Sequence, residues 1–109
     1  PPPSPAQRAA AQDDEWHWRR AARRYEENIR RAEENLQLLL NRAEELEGEI
    51  RGLLSLGYKP RQFSYQTTVL VSIQEQIPSA RLAITRAQRE YEQFREDARR
   101  QGVLPGGLR

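Results

Sequence analysis

The chain has 109 residues, 31% of them charged and 37% hydrophobic, with a formal net charge of +2. It contains no cysteine, which excludes disulfide frameworks, thiolate nucleophiles and cysteine-ligated metals and leaves the redox compartment open. A mean hydropathy of −0.95, with no run of about 18 apolar residues, leaves no membrane-spanning helix and supplies apolar side chains for a narrow helix–helix seam rather than a thick globular core.

Residues 1–12 open with Pro1-Pro2-Pro3-Ser4-Pro5 and continue in Ala and Gln, which reads as a disordered Pro/Ala-rich spacer. A start at Pro1 fits removal of an initiator Met, and it fits cleavage of a signal peptide; the second is preferred. Asp13 and Asp14 are the N-cap candidates for a first helix over 13–56. Along it apolar or small residues recur in alternating steps of three and four: Trp18, Ala22, Tyr25, Ile29, Ala32, Leu36, Leu39, Ala43, Leu46, Ile50 and Leu53. That spacing is a continuous heptad seam.

Residues 57–64 form the expected tip loop, with Gly57 as a left-handed helix stop, Pro60 following it and Ser64 capping the next helix. The second helix, 65–101, repeats the seam in Leu70, Ile73, Ile77, Ala80, Ile84, Ala87, Tyr91, Phe94 and Ala98. A loop this short makes the two helices antiparallel neighbours. A register that sets Leu53 opposite Leu70, Ala43 opposite Ala80 and Ile29 opposite Phe94 also sets both seam tyrosines opposite alanines, Ala32 with Tyr91 and Tyr25 with Ala98, large against small. It also brings Glu47 to Arg81, and Glu26 or Glu33 to Arg95, as exposed ion pairs.

Two features complicate a plain hairpin. Pro78 lies inside the second helix, where a missing donor and a clash with the preceding turn predict a kink or break. Phe63, Tyr65, Thr67, Val69, Val71 and Ile73 also alternate with a period of two, a strand signal. Helix is preferred there, because the heptad runs through the stretch and it has no second strand to pair with. Residues 102–109 read as a tail. The expected fold is therefore all-α: a long antiparallel coiled-coil hairpin, kinked near Pro78 and assembling with other copies into a helical bundle.

Leu38, Leu40, Leu54, Leu56, Val69 and Val71 lie off the seam and need cover from a second hairpin or a partner. The tip adds Tyr58, Phe63 and Tyr65 beside Lys59 and Arg61, a composition suited to an interface anchor or to packing back on Leu53 and Leu54. The partner-binding candidates are thus Leu54, Leu56, Tyr58, Phe63, Tyr65, Val69 and Val71. At the open end Arg19, Arg20, Arg23, Arg24, Arg99 and Arg100 form the anion-binding alternative. Trp18 is expected to be covered by the tail at Val103, Leu104 and Pro105, or to anchor a partner or lipid interface together with Trp16 and His17.

Catalytic chemistry is not expected. One His without Cys makes no conventional zinc site, the paired glutamates 26/27, 33/34 and 44/45 diverge on their helices, and Ser55, Ser64, Ser72 and Ser79 have no base beside them. No cofactor or metal is expected either.

The stretch from Leu54 to Tyr91, with Leu54 and Gly57 before the turn and Gln74, Ile77, Ala80, Ile84, Ala87 and Tyr91 after it, resembles the coiled-coil hairpins of bacterial efflux systems, both periplasmic adaptors and outer-membrane channel components. The matching positions are mostly heptad positions, and the β-rich flanks of those families have no counterpart here. The resemblance implies a periplasmic or secreted setting. The expected function is a non-catalytic protein–protein interaction, scaffold or adaptor subunit that self-associates and works through its tip. The alternative is a binder of nucleic acid or of an anionic membrane surface, held peripherally by the Arg-rich end.

Overall fold

The computed structural model describes residues 2–103. It contains helix α1 (Pro5–Ser55), a 3-10 turn (Pro60–Phe63) and helix α2 (Ser64–Arg100). The two long helices pack against each other as a helical hairpin, and among the described residues there is no strand. The period-two stretch from Phe63 to Ile73 is helical from Ser64 on.

Helix α1 begins at Pro5 and not at Asp13, so the expected disordered spacer is largely helical. The local cause is a reciprocal cap. The Ser4 N–H donates to Gln7 Oε1 at 2.8 Å, and the Gln7 N–H donates to Ser4 Oγ at 3.2 Å. Pro5 occupies the first helical position, where its missing donor is harmless. The alanines at 6, 9, 10 and 11 then propagate the helix. Asp13 and Asp14 sit exposed within it.

One half of that device starts the second arm, the Gln62 N–H bonding the Lys59 backbone carbonyl where Ser4 used its hydroxyl. Lys59 is extended (φ −93°, ψ 152°), Pro60 follows it, and the Lys59 N–H donates to Gln62 Oε1 at 2.7 Å. Ser64 is already helical (φ −60°, ψ −30°), so the expected cap at Ser64 is supplied five residues earlier and the 3-10 turn runs straight into α2. Helix α1 ends as expected at Gly57, whose φ of +93° carries no Cβ penalty. There the Tyr58 N–H bonds the Leu53 carbonyl and the Gly57 N–H bonds that of Leu54. Gly102 (φ +80°) ends α2 through the equivalent bonds from Val103 to Ala98 and from Gly102 to Arg99.

Every predicted seam residue of both helices is buried or half-buried. The described residues form two compact units, one of residues 2–30 with 86–103, the other of Arg31–Thr85. In the second unit Ala43, Leu46 and Ile73 form the buried cluster, with Leu39, Val69 and Leu70 packed against it. In the first, Ala21, Ala22 and Phe94 are buried and Trp18, Tyr25 and Tyr91 pack on them.

These partners overturn the expected register, moving the contacts along the seam by between half a heptad and one heptad. Ala43 meets Ile73 in place of Ala80, and Phe94 meets Ala22 and Tyr25 in place of Ile29. Tyr25, expected opposite Ala98, stacks on Tyr91 with ring centroids 6.3 Å apart. The cause lies at the turn: because the chain becomes helical again at Pro60, Phe63, one heptad before Leu70, is drawn inside at 4% exposure.

The expected interhelical ion pairs are replaced as well. Glu47 lies 3.5 Å from the Gln74 amide nitrogen, Glu26 accepts from the Tyr91 hydroxyl, and Arg95 pairs with Glu92 at 3.9 Å while lying over the Tyr91 ring. Helix α2 continues through Pro78 without a break. Pro78 is exposed, so the Gln74 carbonyl that loses its helical partner can be served by water.

Candidate functional site

The turn region concentrates exposed apolar side chains. Leu54 and Leu56 are 50% and 77% exposed, and Tyr58 and Tyr65 are 47% and 76% exposed. Leu56 and Tyr58 are held by the Gly57 closure, and Tyr65 by the first turn of α2, so their exposure is fixed by well-bonded backbone. Lys59, Pro60 and Arg61 are exposed between them.

Two residues of the predicted partner-binding set do not belong to this surface. Phe63 is buried, taking the inward packing left open by its composition, and Val69 is half-buried against the Leu46 and Ile73 cluster. Val71 is exposed, as are Leu38 and Leu82. Leu82 lies off the heptad seam in the same way as Leu38 and is an exposed apolar residue that the predicted set lacks.

At the other predicted site, ion pairs within single helices satisfy much of the arginine charge. Arg19 pairs with Glu15 at 2.7 Å, Arg99 with Glu96 at 3.1 Å, and Arg100 with Glu96 and Asp97 at 3.7 Å each. Arg20 and Arg23 lie over the half-exposed Trp16 ring, 5.6 and 5.9 Å from its centroid, and Arg24 is exposed. Trp18 instead packs on Phe94 at 5.4 Å. Val103 is half-buried; the cover expected from Leu104 and Pro105 falls outside the described residues.

Beside Trp18, Tyr25 and Phe94 runs an open groove of about 590 Å³, rimmed by Glu90, Gln93, Asp97, Arg100 and Gln101. Its one cation is paired to Asp97, and it brings together no nucleophile and base. In the second unit a groove of about 390 Å³ is lined by Asn35, Leu39, Ser72, Glu75, Gln76, Ser79, Ala80 and Ala83. Among the described residues no group of three His, Cys, Asp or Glu side chains could hold a metal ion, and no helix is long and apolar enough to cross a membrane.

The Tyr91 phenol has a displaced titration. Its pKa is raised, first by burial, then by donation to Glu26 and by that carboxylate's charge, with Arg95 opposing. The bond links α2 to α1 across the seam. Compared with known protein families, with characterised proteins and with solved structures, the chain matches none.

Proposed function

We propose that this chain is a non-catalytic interaction subunit, a helical hairpin that acts as a scaffold or adaptor and makes its contacts through the turn. The observation that carries the reading is the contrast between seam and tip. Among the described residues six of the ten that are buried are alanine, so the seam uses small side chains, whereas Leu54, Leu56, Tyr58 and Tyr65 remain at the surface. Large apolar and aromatic side chains held in the open on ordered backbone are the usual anchors of an interface. The Arg-rich end is the weaker contact surface because Arg19, Arg99 and Arg100 are already paired.

A periplasmic or secreted setting in a bacterium belongs to this reading, supported by the resemblance of residues 54–91 to efflux hairpins. Self-association through the tip is its simplest form. Light scattering on the full chain should give a mass above the monomer, falling to the monomer in Leu54→Gln/Leu56→Gln with helicity kept. A parent that stays monomeric at high concentration, with unchanged behaviour in the variant, would remove self-association from the proposal.

A further inference from the structure

The tip has a charge property that its exposed leucines and tyrosines do not reveal alone. All sixteen Asp and Glu residues lie outside 50–74, which is bracketed by Glu49 and Glu75. Within that stretch the only charges are Arg51, Lys59 and Arg61. Elsewhere the helices interleave both signs and pair them within a turn or so, as in Arg19 with Glu15 and Arg42 with Glu45. The turn therefore presents Leu54, Leu56, Tyr58 and Tyr65 together with exposed cations and no carboxylate.

We infer that the tip rests on an anionic lipid surface, with Leu56 and the two tyrosines entering the interfacial layer and Lys59 and Arg61 meeting phosphate. This rests on the reading of the tip as the contact surface. Tyrosine suits that layer because its ring is apolar and its hydroxyl stays wet. Cations beside apolar groups add attraction to anionic headgroups that falls off within a Debye length. Neither of the two grooves described above includes a tip residue, and the exposed Leu54, Leu56, Tyr58 and Tyr65 offer a projecting apolar surface to a deformable layer. The missing carboxylates matter equally, since one acid beside Lys59 would cancel the attraction and resist transfer out of water. The contact is peripheral: a few side chains at one turn, with nothing that spans.

The test is co-sedimentation of the full chain with vesicles of phosphatidylcholine alone and of phosphatidylcholine with an equal share of phosphatidylglycerol. Parent binding to the anionic vesicles should exceed binding to the neutral ones by about tenfold or more at low salt and weaken as salt rises. Leu56→Gln/Tyr65→Gln and Lys59→Gln/Arg61→Gln should each lose about tenfold, while Arg20→Gln/Arg23→Gln changes binding by less than about threefold. The tip changes lie at exposed positions, and circular dichroism of each variant checks that helicity is kept. Tip variants that bind like the parent, or loss of binding only in Arg20→Gln/Arg23→Gln, overturn the inference. If the parent ignores both vesicles but Leu56→Gln/Tyr65→Gln reduces its solution mass, the lipid inference falls and the tip remains a protein contact. If neither binding nor mass responds, both fall.

Discussion

Tyr91 reaches across from α2 to α1 and donates its hydroxyl hydrogen to Glu26 Oε1 at 2.8 Å. Its ring stacks on Tyr25 and carries the Arg95 guanidinium 5.4 Å from the centroid. The bond needs the protonated phenol, and burial together with the Glu26 charge raises the pKa above its ordinary value of 10.0. The folded state thus holds this proton more tightly than the unfolded chain. The contribution is fully present below about pH 10 and is lost as pH rises through the elevated value. Thermal melts should therefore show the parent losing stability above pH 10 more steeply than Tyr91→Phe, which should itself be about 1 kcal/mol less stable at neutral pH. Parallel profiles for the two proteins would show that this bond does not contribute.

Phe63 and Tyr65 are two residues apart and have opposite roles. Truncating the buried Phe63 to Ala should destabilise the hairpin by about 3–5 kcal/mol, through lost transfer energy and the cavity left behind. Tyr65→Ala, at 76% exposure, should stay within about 0.5 kcal/mol of the parent. Urea unfolding of both variants decides it; equal effects would mean that Phe63 is not an interior residue.

The register can be read by crosslinking, because the chain has no cysteine of its own. Ala43→Cys with Ile73→Cys should oxidise to an intramolecular disulfide under mild conditions. Ala43→Cys with Ala80→Cys should close poorly, since the second partner lies a heptad away along α2. Faster closure of the Ala80 pair would restore the large-to-small register expected from sequence.

Pro78 leaves the Gln74 carbonyl without a helical donor. Pro78→Ala supplies that donor and removes the ring from the helix interior, so it should raise stability by about 1–3 kcal/mol. A lower melting temperature in Pro78→Ala would mean that the ring itself packs against something the hairpin needs.

The amino-acid sequence by itself determined which face of each helix turns inward, because alternating steps of three and four leave a single apolar stripe on a helix. From Trp18 to Leu53, and again from Leu70 to Ala98, that stripe is the buried seam. It also determined the stop at Gly57, where the positive φ suits a residue without Cβ. The helix start at Pro5 was legible in principle, since Ser4-Pro5-Ala6-Gln7 carries the signature of a reciprocal cap, but prolines in a row suggest a spacer first. Only the tertiary structure decided the register. An alternating three-and-four pattern returns apolar residues to the seam after a shift of three, four or seven residues, so several registers bury the same side chains. Phe63 breaks that degeneracy, because a helical turn starting at Pro60 carries its ring inside. The tertiary structure likewise separated Phe63 and Val69, which are covered, from Leu54, Leu56, Tyr58 and Tyr65, which are not. Composition is the same for both groups, and the difference lies in where the turn geometry places each side chain relative to the seam.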